Sequence, residues 1–517
     1  MSELNLKIKN RKELEEAILR EKAKGTSDKE IGQVYNVNLS FIEKVITKNH
    51  GVNVSSIKKK KVIKSFYPKN FSLEQTTVWS FKSRGNWATH SGEYRGNWSP
   101  YIPRNIILRY SNPGDLVLDY FCGAGTTAVE CKLLSRKCIA IDINDKAIEL
   151  ARMNLEFDLS LEEDLFALEL DKKIFEPELI IGDARNLSFL SDNSVDLICS
   201  HPPYANIIKY TDAKHGDLSF LEINDFLHEM EKVALESFRV LKPGKKCAIL
   251  IGDTRRKKQV IPLGFKLIDV YLKAGFKLKE LVIKRQHNCK TTGFWYANSI
   301  KYNFLLLAHE YLPIFEKPLA SENPIVHDDR TTYSTFNIKI ENFRGRKKLE
   351  NLETTSVWIL PENDIETYIK RNVIDRYAKE ENFVIVSFDN TSIKEKSLSI
   401  NNISKNLGLL YIKSVFDVLR EENLDISVFI KKLKEFVEDN LKNLIPHSYV
   451  IIQTKDLRMN GFIEPLAKKI IDALIFEHVA LKEIIIVTPE KSKSKIERLA
   501  QDLEIIHQYL LVYKIEK

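Results

Sequence analysis

Two short stretches of this chain bring together residue types that do chemistry. From Val117 to Glu130 it reads Val-Leu-Asp-Tyr-Phe-Cys-Gly-Ala-Gly-Thr-Thr-Ala-Val-Glu, an apolar run ending in an acid, a glycine-rich turn and a helix start. Such a turn aims backbone amides at a ligand, and Gly123 and Gly125 let the backbone pass close to it. Asp142 closes the next apolar run some 23 residues after Asp119, near the spacing of about 20 expected for an acid that binds both hydroxyls of a ribose. A third acid, Asp183, stands in Ile180-Ile-Gly-Asp-Ala-Arg185 and fits either a ligand contact or a helix cap. The second stretch is Ser200-His201-Pro202-Pro203-Tyr204, which follows the apolar run Val195 to Cys199. Paired prolines donate no hydrogen bond and hold the backbone extended, so their carbonyls become fixed acceptors. An exocyclic amino group needs such acceptors: its lone pair is delocalised into the ring, and drawing its N–H bonds outward helps the nitrogen turn tetrahedral as it attacks.

The elements that must position these residues alternate. Between Phe71 and Glu316 the apolar runs Leu116–Leu118, Cys138–Ile141, Leu179–Ile181, Val195–Cys199, Cys247–Ile251, Leu278–Ile283 and Phe304–Ala308 are separated by helical stretches. That pattern predicts an α/β fold, a doubly wound Rossmann-like sheet with helices on both faces. Residues 11–48 read as three helices, an all-α segment. Ser27 and Glu30 form a capping box, Ile31, Val34 and Tyr35 an apolar stripe ending at Asn36, and Asn38 caps a helix whose inward face is Phe41 or Ile42 with Val45 and Ile46. Gly32 lets the two helices cross closely. The segment resembles helix-turn-helix DNA readers, the alternative being a plain helical hairpin. Lys58 to Lys61 follow, a solvated linker or a grip on phosphates.

The C-terminal part is a worn copy of the middle one. Leu241, Pro243, Ile249, Asp253, Arg255, Pro262, Leu263, Ile268, Asp269, Leu278, Lys279 and Glu280 recur as Leu444, Pro446, Ile452, Asp456, Arg458, Pro465, Leu466, Ile471, Asp472, Leu481, Lys482 and Glu483 at one spacing of 203. Asn105 to Tyr110 is echoed by Asn372 to Tyr377, and Thr76-Thr77-Val78-Trp79 by Thr354 to Trp358. In that register Asp119 becomes Val386 and Gly123 becomes Asn390, and the Pro-Pro-Tyr stretch falls in a deletion. The copy cannot hold the same ligand. The expected organisation is 1–56 helix-turn-helix, 57–70 basic linker, 71–315 catalytic, 316–345 linker with at most a short strand, and 346–517 a degenerate repeat of the catalytic part, an internal pseudo-dimer partner that supplies recognition surface or covers the catalytic part.

Phe-Cys-Gly-Ala-Gly-Thr-Thr, with Pro103-Arg104 and Ser111-Asn-Pro-Gly-Asp115 before it and Pro202-Pro203-Tyr204 after it, resembles the amino-methyltransferases of DNA. The resemblance implies S-adenosylmethionine as cofactor, bound by Asp119, Phe121, Gly123, Gly125, Thr126, Asp142 and Asp183, with Asp183 meeting the adenine amino group and the segment from about Trp98 to Ile107 folding over it. Trp98 packs on the cofactor or in the core. It implies a catalytic loop in which Ser200, His201 and the Pro202 carbonyl hold the target amine, Pro203 stiffens the turn, and Tyr204 stacks on a base flipped from double-stranded DNA. Family members place Asp, Asn or Ser directly before the prolines, where this chain has His201, so the choice between cytosine N4 and adenine N6 is poorly marked; Ser200 and Tyr204 tilt it to cytosine N4. Asn38, Ser40, Lys44, Lys58, Lys59 and Lys60 are expected to meet DNA. So are His287, Asn288 and Trp295, in a polar, aromatic loop between late strands that reads equally as a packed hairpin. The paired motifs Arg84-Gly-Asn-Trp87 and Arg95-Gly-Asn-Trp98 are expected near the phosphate backbone.

The bulk composition agrees with a polyanionic partner: 79 Lys+Arg against 71 Asp+Glu gives +8. No run approaches the roughly 18 apolar residues of a membrane helix, and a cytoplasmic protein is expected. Six cysteines without a Cys-x-x-Cys pair indicate neither a disulfide framework nor a metal site. The sequence leads us to expect a DNA methyltransferase, the protective half of a restriction-modification pair with a cognate restriction endonuclease. The rivals are an RNA amino-methyltransferase and a DNA-binding regulator built on an inactive fold.

Overall fold

The computed structural model describes residues 11–23, 26, 28–35, 37, 41–42 and 45, then 63–92, 94, 96–159, 173–211, 214–287, 293–319, 337–341, 349, 352–378, 382–389, 405–413, 425–490 and 502–516. The chain divides into two compact units, one of Met1–Leu73, Ser83–Ile251 and Lys273–Gly275, the other of Glu74–Lys82, Gly252–Leu272 and Phe276–Lys517. These units do not follow the boundaries expected from sequence. The first strand, β1 (Val78–Ser80), pairs in parallel with β9 (Lys277–Arg285), which pairs antiparallel with β10 (His309–Glu316), and all three lie in the second unit.

In the first unit five parallel strands, β2 (Leu116–Asp119), β3 (Lys137–Asp142), β4 (Glu178–Ile181), β5 (Val195–Ser200) and β6 (Leu241–Ile249), stand in the order β6-β5-β2-β3-β4. The chain builds outward from β2 through β3 to β4, then returns to add β5 and β6 on the other side. That reversal makes the carboxyl ends of β2 and β5 a topological switch point, where open α/β sheets bind ligands. Strand β5 is buried at every residue, as its unbroken apolar reading requires of a central parallel strand. Helix α6 (Ile223–Val240) buries Ile223, Phe226, Met230, Val233, Ala234, Ser237 and Val240, a stripe at helical spacing.

The N-terminal segment has α1 (Arg11–Ala23), α2 (Asp28–Tyr35) and helical positions at Phe41, Ile42 and Val45. Ile18, Ile31, Ile42 and Val45 form its core, and a Cβ on Gly32 would lie 3.0 Å from the Val37 carbonyl oxygen. Val34, expected in the apolar stripe, is exposed, because Ile31 and Tyr35 alone face the core. Ser27, Asn36, Asn38, Ser40, Lys44 and Lys58 to Lys60 lie outside the described residues.

Helices α3 (Tyr101–Tyr110) and α4 (Thr126–Leu133) enclose a buried ion cluster: Arg104 Nη1 donates to Glu130 at 2.9 Å, Trp87 Nε1 donates at 2.7 Å, and His90 Nε2 bonds it at 2.7 Å. Burial alone would raise the Glu130 carboxyl, yet the charges of Arg104 and His90 and the His90 and Trp87 hydrogen bonds hold it below its ordinary value. Glu130→Gln leaves Arg104 buried against a neutral amide. It is expected to lower the unfolding free energy by ~3–5 kcal/mol in a urea titration.

The second unit carries a seven-stranded sheet in the order β11-β13-β14-β15-β19-β18-β12: β11 (Asn337–Glu341), β12 (Val357–Leu360), β13 (Asn382–Asp389), β14 (Leu407–Lys413), β15 (Leu444–Thr454), β18 (Val479–Pro489) and β19 (Gln508–Ile515). Two small hairpins join it in that unit, β7–β8 (Thr254–Arg256, Gln259–Ile261) and β16–β17 (Leu457–Met459, Phe462–Glu464). Among the described residues of the 316–345 stretch, Asn337–Glu341 forms the strand β11. Two expectations are corrected here. Phe304–Ala308 is not a strand: it bears a single bridge, Leu306 to Thr355, and regular pairing begins at His309. Gly293–Tyr302, expected to begin as a loop, is a helix, continued by the helix-compatible Ala297-Asn-Ser-Ile-Lys301. Among the described residues no helix is long and apolar enough to cross a membrane.

Candidate active site

The switch point holds a pocket lined by the glycine turn, the ends of β3 and β4, the catalytic-loop candidates and a roof of Tyr94, Gly96, Asn97 and Trp98. Its floor is set by two carboxylates. Asp119, at the end of β2, is buried beneath the turn: Oδ1 accepts from Ser200 Oγ at 2.6 Å and from Phe121 N at 3.1 Å, and Oδ2 accepts from Thr127 Oγ1 at 2.5 Å. Asp142, at the end of β3, faces the pocket and accepts from Gly123 N at 2.9 Å and Asn144 N at 2.9 Å. Burial pushes both acids up to about 6, against the hydrogen bonds that lower them.

Asp183 also lines the pocket, gripped by Arg185. The Arg185 Nε donates to Oδ1 at 2.9 Å and Nη2 to Oδ2 at 2.5 Å, while Nη1 reaches Glu229. Burial raises this carboxyl, but the Arg185 hydrogen bonds and charge bring it below its ordinary value. It is therefore a charged acceptor held in place, with its own backbone turn closed by Arg185 N at 2.9 Å.

The roof is legible only in the structure. Gly123 has φ +49°, and a Cβ there would lie 3.0 Å from Tyr94. Gly96, at φ +82°, sits under Tyr210, where a Cβ would fall 2.0 Å from the phenol oxygen. Tyr94 and Tyr210 stack with centroids 6.2 Å apart, and Asn144 Nδ2 donates to the Tyr210 carbonyl at 2.9 Å. Trp98 stacks on His201 at 5.5 Å and 22°, and His201 Nε2 bonds the Tyr204 hydroxyl at 2.8 Å.

Several expected site residues stand one layer back from the pocket, whose lining includes Phe121, Gly123, Asp142, Asp183, His201 and Pro203. Asp119 and Ser200 bond each other below it, locking the glycine turn to the end of β5. Thr126 donates to Asn97 Oδ1 at 2.6 Å and so fastens the roof. Gly125 packs closely on a neighbouring helix: a Cβ there would lie 2.9 Å from Ala151 Cβ. Pro202 is buried, and Tyr204 bonds His201. Of the expected fold-over segment Trp98–Ile107, Trp98 lines the pocket and most of the rest is helix α3, while Tyr94, Gly96 and Asn97 line the pocket beside Trp98. The Arg84 guanidinium donates to the Asn97 and Trp98 carbonyls at 2.6 and 2.7 Å. Arg95 and Asn288 lie outside the described residues, Trp295 falls in a helix, and His287 bonds Ser80 Oγ at 2.9 Å. Asn97 and Trp98, read from sequence in the motif Arg95-Gly-Asn-Trp98, line the pocket; lining residues that sequence reading passed over include Tyr94, Asn144, Tyr210 and Asp217.

A glycine turn, a strand-end acid and a proline loop meeting at the switch point of a parallel sheet define a nucleotide-cofactor methyltransferase fold. A family model described as DNA methylase matches residues 7–153 and 195–411, and a methyltransferase-domain model matches 118–249. With well over half of its length matched, the chain belongs to the N6/N4 DNA methylase family. It is similar to the type II methyltransferase M.SmaI of Serratia marcescens, 34% identical over 85 residues, 16% of this chain and 28% of that protein. It is also similar to M.MthZI of Methanothermobacter thermautotrophicus, 28% identical over 153 residues, 26% and 43% of the two chains. A tRNA (guanine(10)-N2)-dimethyltransferase of that species is 30% identical over 136 residues, 26% and 35% of the two. The chain spans less than half the length of each of these relatives.

S-adenosylmethionine is the cofactor of this fold, and the residues present fit it. Asp142 offers a carboxylate at a strand end, and Gly123 leaves clear the space a Cβ would fill. Because Asp142 titrates near 6, cofactor affinity is expected to fall about tenfold per pH unit once the pH drops below that value. The sign for stability is opposite. Asp119 and Asp142 bind protons more tightly folded than unfolded, so their stabilising effect is full below about 3.8 and is lost as pH rises through about 6. Titration calorimetry at pH 5 and 7 with parallel melting curves separates the two effects.

Proposed function

We propose that the protein is a site-specific DNA methyltransferase that moves a methyl group from S-adenosylmethionine to an exocyclic amino nitrogen of a base, cytosine N4 being favoured over adenine N6, as the protective half of a restriction-modification pair. The observation that carries this reading is the meeting of His201 and Pro203 with Asp142 and Gly123 in one pocket. The bound cofactor supplies an electrophilic methyl group. The chain's own residues do the rest: the Pro202 carbonyl and the His201 ring accept the amine's hydrogen bonds, Trp98 holds the imidazole face, and the Tyr204 hydroxyl fixes its orientation. A neutral imidazole there can take the proton that the amine loses.

The three N-terminal helical stretches, with Gly32 at their crossing, support a DNA-reading role for that segment. His287 belongs to the same reading: burial and the neighbouring charges of Arg285, Lys284 and Lys82 keep its imidazole below its ordinary pKa, so a neutral ring sits among cations. The C-terminal part, lacking the glycine turn and the proline loop, is read as a partner half within the chain. The likeness to a tRNA methyltransferase favours one rival, an RNA amino group as substrate.

Methylation mapping tests the proposal. The protein and a Pro203→Ala variant are expressed in a host without DNA methylases, and genomic DNA is read by single-molecule sequencing that separates N4-methylcytosine from N6-methyladenine. A modified motif seen only with the wild type is expected. Unmodified DNA from a folded, cofactor-binding protein would move the assignment to RNA, and loss of cofactor binding would leave the regulator.

A further inference from the structure

The two halves of the second unit touch through contacts that occur in pairs. Arg255 Nη2 bonds Glu483 at 2.5 Å, and Arg458 Nη2 bonds Glu280 at 2.6 Å. Glu483 also accepts from Leu305 N at 3.1 Å, and Glu280 from Leu503 N at 3.1 Å. The same two arginines donate to the carbonyls of Lys482 and Lys279, each at 3.1 Å. Thr77 Oγ1 meets His507 Nδ1 at 2.7 Å while Ser356 Oγ meets His309 Nδ1 at 2.8 Å. Each histidine then bonds a tyrosine two residues on, Tyr509 at 2.9 Å and Tyr311 at 3.0 Å. The bridges Thr76–Glu504 and Leu306–Thr355 repeat the exchange in the backbone. In every pair a residue of the first half meets the second half's version of its own counterpart's partner.

Reciprocity of this kind is the signature of an isologous, two-fold interface. It has a consequence for the first half taken alone. Arg255 and Glu280, Thr77 and His309, Thr76 and Leu306 are all first-half residues, so that half carries both sides of every contact. We infer that the first half's surface is self-complementary, and that its alternative occupant is the first half of a second copy of this chain, from which residues 346–517 shield it. The inference rests on reading those residues as an internal partner half, and it is independent of the methyl-transfer chemistry.

The test weakens only the second half's side, using near-isosteric changes in the full chain. In Arg458→Met/Glu483→Gln, Arg255 and Glu280 face neutral groups within their own chain, but Arg255 of one chain can still meet Glu280 of a second. Light scattering after size exclusion, over a rising concentration series, is expected to show a wild-type monomer and a double variant that shifts toward twice the mass. Adding Arg255→Met and Glu280→Gln removes the preference, and the quadruple variant is expected to return to monomer. A Thr76→Cys/Leu306→Cys pair placed in the double variant is expected to give a disulfide that joins position 76 of one chain to position 306 of the other, read by mass spectrometry. A double variant that melts lower than wild type yet stays monomeric overturns the inference while leaving the internal-partner reading in place. A double variant as stable and as monomeric as wild type overturns both. A quadruple variant that dimerises equally, or a dimer without that inter-chain link, overturns the inference.

Discussion

Asp142→Asn is expected to weaken S-adenosylmethionine binding by about 10²–10³-fold. The carboxylate already serves two backbone donors, Gly123 N and Asn144 N, with one oxygen each. An amide keeps one acceptor and turns its NH₂ toward the other donor, so the glycine turn loses a tie at the same moment that the ribose loses a charged acceptor. Hydrogen bonds to charged groups contribute about 1.5–3 kcal/mol each, and losing two of moderate strength gives the stated range. Titration calorimetry on the free protein checks it; an affinity within fivefold of wild type would remove Asp142 from the cofactor site. Asp119→Asn makes a useful contrast. That residue lies behind the turn with Ser200 and Thr127, and its replacement should register chiefly as a lower melting temperature.

His201→Ala should lower the single-turnover methylation rate by about 10²–10³-fold, the scale seen when one preorganised partner of a transition state is removed. Tyr204→Phe keeps the ring and removes only the hydroxyl that bonds His201 at 2.8 Å. It is expected to cost roughly tenfold or less and to move the pH–rate profile, because the hydroxyl sets the imidazole's orientation and basicity. Equal losses from the two variants would make Tyr204 the group that meets the base and His201 a spacer. Rates unchanged by His201→Ala would place the acceptors in the backbone alone.

The parallel sheet and its pocket-forming turns were legible because their signals are local. Val117 to Thr127 spells strand, turn and helix within a few residues, and the Pro-Pro pair marks itself. What escaped is carried by contacts between distant positions. Asn97 is bound through Thr126, 29 residues on, and Tyr210 through Asn144, 66 residues before it. Gly123 and Gly125 look alike in sequence; only the positions of Tyr94 and Ala151 separate a glycine that faces the pocket from one that faces a helix. Leu306 and its neighbours have strand composition but make one bridge, whereas the strand itself opens on the polar pair His309-Glu310, buried against the sequence's plain reading. The repeat was visible because twelve residues keep one register. The paired contacts of Arg255 with Glu483 and of Arg458 with Glu280 could be seen only in three dimensions.

Tyr210 lies on the same stretch of chain as His201 and Pro203, yet its ring covers Gly96 and its carbonyl is held by Asn144, beside the cofactor acid. The run of backbone that carries His201 and Pro203 thus also reaches the roof at Gly96. A methyl donor seated under that roof is expected to order the same run that presents His201 and Pro203. By reciprocity of linked equilibria, a cofactor that tightens the grip on the target base by some factor must itself be retained more firmly by that same factor once the base is in place. A methyl donor seated here would then leave least readily when its acceptor has arrived.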